Sequence, residues 1–425
     1  MTAPRTVEYV TCLGCGCACD DLKVRVEGGR IADIAPPCPL GKAWFGDGIV
    51  PDKILRGGAP SSLDQAIGDA AELLTTASGK ILVYVGLDLT TQAHRIALAI
   101  ADLLGAVVDQ ATSDAAAAGL LAAQRRGRAA ATLGEIRNRA DALLFWAVDP
   151  PLRYPRYLSR YALEPVGTHV PDGRRGRTVI AVSVGRDRGP GEADARLALE
   201  PNEEIAALSV MRATVLGNPL GDLPERLRPA SDIARRLTQA RYAVLVHEAE
   251  SGDERRDPHR AEGLIALTQA LNGPTRAALS SLRAGGNRSG LESVLTWQTG
   301  YPLAVDYSSG SPRYAPGSRG LLQLTTGRFA AALIVGSTTA LPRETNEPLA
   351  RMPTVVIGPR ASETSLGSRV SIDTGVAGIH EAGIAYRMDE VPLPLRPPLT
   401  GPRSAAAALS ALLAAVQARS VTRQA

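Results

Sequence analysis

The sequence predicts an α/β protein with mainly parallel sheets behind a small cysteine-rich head. Three observations carry that expectation. Segments with helical spacing alternate with short strand-like segments along most of the chain. The strand-like runs are continuously apolar, as suits strands covered on both faces. Four of the five cysteines, Cys12, Cys15, Cys17 and Cys19, crowd into "CLGCGCAC", with the fifth at Cys38 and none after it.

The head continues as "LKVRVEGGRIADI". Leu22, Val24 and Val26 alternate with polar residues, Gly28-Gly29 supplies a turn and Ile31 resumes, which predicts a β-hairpin. Ser62 then opens "SLDQAIGDAAELL" with Gln65 three residues on, a capping-box pattern. Leu63, Ala66, Ile67, Ala70, Leu73 and Leu74 fall at helical spacing. "KILVYVG" reads as a strand, "TTQAHRIALAIADLLGA" as a helix through Ala93, Ile96, Ala97, Ile100 and Leu104, and "VVD" as the next strand. Further strands are expected at "ALLFWAV" from Ala142, "TVIAVSV" from Thr178, "YAVLVHE" from Tyr242, "AALIVGS" from Ala331, "PTVVIGP" from Pro353 and "RVSIDT" from Arg369. Joints rich in proline and glycine, "DPPLRYPRY", "GNPLGDLPERLRP" and "PLPLRPPLTGPR", mark candidate boundaries, and "SAAAALSALLAAVQA" reads as a final helix.

Composition excludes several classes. At 45% apolar and 21% charged residues the chain is globular rather than disordered, and its 425 residues allow two or three α/β domains. No apolar run is long enough to cross a bilayer and "MTAPRTVEYV" has no export-signal core, so the expected location is the cytoplasm, with no membrane contact. There, clustered cysteines bind metal more often than they form disulfides. A net charge of +4 says little, and the basic patches "AQRRGRAA" and "DGRRGR" lack the interleaved aromatics of a nucleic-acid surface, so no nucleic-acid partner is expected.

Cys12-x-x-Cys15-x-x-x-Cys19, with Cys38 eighteen intervening residues later between two prolines, supplies four thiolates on a loop and hairpin. Such a set holds a 4Fe-4S cluster or a tetrahedral zinc, and spacing does not separate the two; buried thiols without metal are the third reading. Cys17 is then an extra thiol. Elsewhere the chemistry is sparse. His94, His169, His247, His259 and His380 form no metal-binding spacing, and neither a nucleophile elbow nor a P-loop occurs. "LRAGGNRSG", from Leu282 to Gly290, is either a phosphate-approaching loop or a simple turn.

Three stretches, "CLGCGCACDDLKVRVEGGRI", "GNRSGLESVLTWQTGYPLAVDYSSGSPRYAPGS" and "GIHEAGIAYRMDEVPLPL", together resemble the B subunit of formylmethanofuran dehydrogenase. "LLFWAVDPP" and "IAVSVGRD" resemble the wider molybdopterin oxidoreductases. The resemblance implies that superfamily's fold: a cysteine-rich domain at 1–55, a discontinuous α/β domain at 56–135 and 340–400, an inserted α/β domain at 136–339 and a C-terminal helix at 401–425, without the usual C-terminal β-barrel. It also implies a tungsten or molybdenum site just after "VVD", where the family carries a cysteine or selenocysteine followed by histidine. With the family's aspartate on Asp109, Ala115 falls at the cysteine position and another alanine at the histidine. A methyl group coordinates no metal and moves no proton, so no tungsto- or molybdopterin is expected. The alternative is an unusual ligand, Ser113 or Asp114, in an active dehydrogenase subunit.

A B-like subunit with a degenerate metal site resembles that of the bacterial formyltransferase/hydrolase complex. By that resemblance the chain is a non-catalytic subunit in tetrahydromethanopterin- and methanofuran-linked one-carbon metabolism, the oxidation of formaldehyde to formate. Its implied partners are an amidohydrolase-like A subunit, a scaffold C subunit and a formyltransferase D subunit. A polyglutamyl methanofuran-type carrier is a further implied contact, for which Arg125, Arg126 and Arg128 are the candidates.

Overall fold

Three strands open the chain as an antiparallel sheet, β1 (Arg5–Val10), β2 (Leu22–Glu27) and β3 (Arg30–Ala35), in that order. The expected hairpin is β2–β3: Leu22, Val24 and Val26 are buried, and Gly28 and Gly29 both adopt positive φ in the turn. The computed structural model describes residues 3–110, 113–248, 259–314, 316 and 320–424.

α1 (Pro39–Phe45) follows Cys38, and the hairpin β4 (Ile54–Arg56) and β5 (Ala59–Pro60) leads to α2 (Leu63–Thr76). Ser62 caps α2 by accepting the Gln65 N–H at 3.3 Å. β6 (Ile81–Val85), α3 (Thr91–Leu103) and β7 (Val107–Asp109) come next. Then follow α4 (Ser113–Arg126), α5 (Leu133–Arg139), β8 (Ala142–Trp146), the single turn α6 (Pro150–Arg153), β9 (Thr178–Val184) and β10 (Ala195–Leu199). α7 (Glu204–Val215), α8 (Arg228–Thr238), β11 (Ala243–Glu248), α9 (Arg260–Leu271) and β12 (Ala277–Leu282) complete the middle of the chain. The last part holds α10 (Arg288–Thr299), β13 (Val305–Asp306), β14 (Arg313–Tyr314), β15 (Ala331–Val335), α11 (Arg343–Ala350), β16 (Thr354–Gly358) and β17 (Val370–Asp373). It ends with the hairpin β18 (Gly383–Tyr386) and β19 (Pro392–Leu395), and α12 (Ala405–Gln424).

The chain divides into two compact units, Met1–Asp114 with Gly285–Ala425, and Ala115–Ala284 inserted between them. In the first, nine strands run in the order β14-β13-β7-β6-β15-β16-β17-β4-β5, with β7, β6, β15, β16 and β17 mutually parallel and antiparallel strands at both edges. In the inserted unit all pairings of β10-β9-β8-β11-β12 are parallel. Every residue of β6, β15, β16, β8 and β11 is buried, which is why these strands read as unbroken apolar runs. The core of the first unit packs Ala66, Ala70 and Leu74 of α2, Ala97 and Ile100 of α3 and Leu409, Leu412 and Val416 of α12 against the sheet.

The compact inserted unit spans 115–284, where the resemblance implied an inserted domain at 136–339. α10 packs on α3 and β13 pairs with β7, so the segment after residue 284 completes the first unit's sheet. Ala122 of α4 sits instead in the core of the inserted unit, and Ala130 bridges to Leu279 there. Neither 1–55 nor 401–425 separates as its own unit, and α12 packs on α2 and α3. Among the described residues no helix is long and apolar enough to cross a membrane.

Candidate functional site: the cysteine head and its seam

β1 carries a bulge between Val7 and Val10, with Tyr9 at φ 57°, and delivers the chain into the cysteine loop. The loop closes on itself, Cys12 N–H donating to the Cys19 carbonyl at 2.9 Å and Ala18 N–H to that of Cys15 at 3.1 Å. Cys38 arrives from the end of β3 as the residue before α1, where its carbonyl accepts the Lys42 N–H at 2.8 Å. Cys12, Cys17 and Cys19 are buried, Cys15 and Cys38 half-buried, and no disulfide joins any of them.

A β-carbon built on Gly41 of α1 would stand 3.6 Å from the Cys12 sulfur and 3.7 Å from the Cys38 β-carbon, which puts those two side chains over one face of the helix. Burial, with smaller contributions from Cys15, Cys19 and Cys38, pushes the Cys12 thiol up to about 12; only the Gly14 N–H, 3.3 Å from the sulfur, opposes them. The three cysteines expected to act with Cys12 are therefore its electrostatic neighbours. Among the described residues, no three His, Cys, Asp or Glu side chains form the compact cage of a single metal ion.

The glycine loop at 282–290 is a packing seam. Gly286 N–H donates to the Leu13 carbonyl at 2.8 Å and Asn287 N–H to that of Leu87 at 2.7 Å. A β-carbon on Gly285 would lie 2.6 Å from the Leu13 oxygen, and one on Gly286, at φ 84°, only 2.5 Å from Leu87 Cβ. These glycines thus let the backbone press on the cysteine loop and on the turn after β6, and leave no cradle for a phosphate. Asn287, fully buried, donates through Nδ2 to the Leu89 carbonyl and Thr91 hydroxyl at 3.1 and 3.2 Å.

The strand order turns back between β6 and β15, the position where open α/β sheets form a crevice at the strands' carboxyl ends. Three glycines, Gly86, Gly336 and Gly358, end β6, β15 and β16 there, so close that a β-carbon on Gly358 would meet Gly336 oxygen at 2.4 Å. Asp88 faces them and accepts the Ser337 N–H on both oxygens at 3.2 and 3.1 Å. Burial raises its carboxyl to about 6. Burial likewise raises Glu381 to about 7, with Asp88 adding to the shift, while the Ala405 N–H at the start of α12 donates to Glu381 Oε1 at 2.6 Å. Sequence reasoning missed Asp88, Glu381 and Asn287. The glycine ending each of three neighbouring strands was the available signal.

At the end of β7, Asp109 accepts the N–H groups of Gln110 and Leu321, each at 2.8 Å, and Gln110 Nε2 reaches Glu292 at 3.4 Å. Ser113 and Asp114, with Ala115 at the expected metal-ligand position, fall in the first turn of α4, and their side chains lie outside the described residues. The histidines stay apart. His94 is fully buried, with its titration pushed down to about 4 by that burial. His380 accepts the Val376 N–H on Nδ1 at 3.1 Å and meets the Gly48 carbonyl through Nε2 at 2.8 Å. Of the arginines read as carrier contacts, Arg126 pairs with Glu262 at 2.8 Å, Arg125 lies 3.7 Å from the same carboxylate, and Arg128 reaches the Ser281 hydroxyl at 3.3 Å.

Fold and site together define a two-unit α/β protein with parallel sheets and a cysteine-rich head sealed onto its first unit. No family model matches the chain. The B subunit of the tungsten-containing formylmethanofuran dehydrogenase 2 of Methanocaldococcus jannaschii is 32% identical over 410 residues, 92% of this chain and 93% of that protein. Its counterpart in Methanococcus maripaludis is 30% identical over 414 residues, 92% and 94%. The chain belongs to the family of formylmethanofuran dehydrogenase B subunits. The B subunit of the formyltransferase/hydrolase complex Fhc of Methylorubrum extorquens is 27% identical over 345 residues, 78% of this chain and 87% of that one. A chain in the crystal structure of that organism's complex with methylofuran superposes with a TM-score of 0.71 at 24% identity, covering 87% of this chain and 99% of that chain; this likeness shows the fold.

Proposed function

We propose that the chain is the structural, non-catalytic B subunit of a cytoplasmic formyltransferase/hydrolase complex, working in methanofuran- and tetrahydromethanopterin-linked formaldehyde oxidation to formate. One observation carries the reading: after Cys38 the sequence holds no cysteine, so no thiolate exists to ligate tungsten or molybdenum beyond β7. The five histidines are no substitute, since the residue directly after the expected ligand position at Ala115 is another alanine. The donor set does not fit the metal in the relatives' name, and no redox step is assigned to this chain. On this reading its architecture is that of a molybdopterin oxidoreductase without the β-barrel. Its partners are the amidohydrolase-like A, scaffold C and formyltransferase D subunits, with a methanofuran-type carrier.

Cys12, Cys15, Cys19 and Cys38 are the residues that would hold a 4Fe-4S cluster. A tetrahedral zinc needs its sulfurs roughly 3.8 Å apart. A cubane spaces them more widely, and either geometry would draw on the same four cysteines, of which Cys15, Cys19 and Cys38 act electrostatically on Cys12. Such a cluster can carry one electron, and without a second metal centre its role here is to staple the head.

The alternative, an active subunit ligating metal through Ser113 or Asp114, is the less favoured reading. Metal analysis with pterin extraction on the purified complex decides. The expected result is no stoichiometric tungsten or molybdenum and no pterin; finding both overturns the proposal.

A further inference from the structure

We propose that the groove at the N-terminal ends of β16 and β17 binds a small molecule bearing a phosphate or carboxylate group, with Arg369 as its principal ligand. This site lies at the opposite end of the sheet from the Asp88 crevice and is independent of the complex-subunit reading above.

The groove encloses about 630 Å³ between the β4–β5 turn and the segments that precede β16 and β17. Two arginines, Arg351 and Arg369, and four hydroxyl residues, Ser362, Thr364, Ser368 and Ser371, line it, and no acidic side chain does. An oxyanion entering it meets donors and no repelling charge.

The state of the surrounding arginines sets Arg369 apart. Arg56 pairs with Asp69, Arg360 with Glu363, Arg403 with Asp52 and Arg351 with Glu347. Arg369 makes no side-chain hydrogen bond or ion pair among the described residues. Its backbone is nevertheless fixed: its N–H donates to the Thr354 carbonyl at 2.8 Å and its carbonyl accepts the Gly57 N–H at 2.9 Å. The result is an anchored backbone carrying a guanidinium with all five N–H donors available, a group able to take carboxylate or phosphate in a two-point fork.

The hydroxyls divide by what they already do. Ser362 donates to Asp373 at 2.7 Å, so it contributes no proton to the groove. Thr364 accepts the Leu366 N–H and keeps its own O–H free to donate. Of Ser368 and Ser371, hydrogen-bonded to each other, one hydroxyl proton remains. Asp373, the nearest buried carboxylate, is occupied by the Lys53 N–H and by both donors of Ser362. A second cavity of about 540 Å³ shares Pro353 and Arg369, but Asp69 and Glu72 line it, which directs an anion to the first side.

The test titrates the full chain, with any subunits that co-purify, with inorganic pyrophosphate and separately with citrate at low ionic strength, by calorimetry. Saturable binding with Kd below about 1 mM is expected for at least one probe, weakening as salt is added. Arg369→Gln should raise that Kd about tenfold and Arg351→Gln about two- to threefold, with thermal unfolding unchanged because both side chains are exposed. Binding of pyrophosphate alone assigns a phosphate ligand, of citrate alone a carboxylate. No saturable binding of either, or the same Kd in Arg369→Gln, overturns the proposal.

Discussion

The Asn287 side-chain oxygen accepts the Tyr386 N–H at 2.8 Å, joining the start of α10 to the C-terminal hairpin β18–β19. The same side chain holds the Leu89 carbonyl and the Thr91 hydroxyl, so one buried amide fastens three separate segments of the first unit. Asn287→Ala leaves buried backbone groups unpaired and is expected to cost about 2–4 kcal/mol. Chemical denaturation reads this directly; a loss under about 1 kcal/mol would show the amide to be incidental.

Gly286→Ala meets a different obstacle. Its backbone sits at φ 84° and the added methyl would lie 2.5 Å from Leu87 Cβ, so the seam must open. A loss of roughly 2–4 kcal/mol is expected from strain and overpacking together, visible as a lowered unfolding midpoint.

The buried titrating groups give opposite pH slopes. Glu381, ordinarily 4.5, stands at about 7, so it holds its proton more tightly when folded. Its stabilising share is complete below about 4.5 and lost as pH rises through 7. Glu381→Gln, which keeps an acceptor for the Ala405 N–H, should gain on the parent by about 1–3 kcal/mol between about pH 5 and 8. His94, ordinarily 6.5 and lowered to about 4, behaves the other way: its share is complete above 6.5 and lost as pH falls through 4. His94→Leu should therefore gain on the parent on acidification. Unfolding measured across that range checks both, and parallel curves would refute the assignment.

Anaerobically purified protein is expected to be brown, with a broad absorption near about 400 nm that dithionite bleaches. Cys12→Ser, Cys15→Ser, Cys19→Ser and Cys38→Ser should each diminish or abolish the band, while Cys17→Ser leaves it. A colourless parent protein with one zinc would replace the cluster by a structural ion.

Much of the fold was legible because its signals are local. The apolar runs that became β6, β8, β9, β11, β15 and β16 are strands buried on both sides, and Ser62 caps α2 as its spacing with Gln65 indicates. β12 escaped notice because "AALSSL" breaks its apolar run with two serines, one of which meets His247 at 2.9 Å. β13 and β14, two residues each, are held by pairing rather than by pattern. The spacing of the cysteines was readable. The purpose of Asn287 was not, since its partners lie from 97 to 198 residues away in sequence. The glycines beside it likewise suggested a ligand loop until the Leu13 and Leu87 backbones were seen to fill the space.

The seam also sets an order of events during synthesis. The cysteine loop emerges early, but the Gly286 N–H that backs its Leu13 carbonyl lies beyond the whole inserted unit. On the ribosome, the head must wait as an unbacked loop while Ala115–Ala284 is made, and that unit can close its own sheet in the interval. The Leu13 carbonyl of that loop thus gains its Gly286 partner only after the inserted unit has been made, when the chain returns to clasp its own beginning.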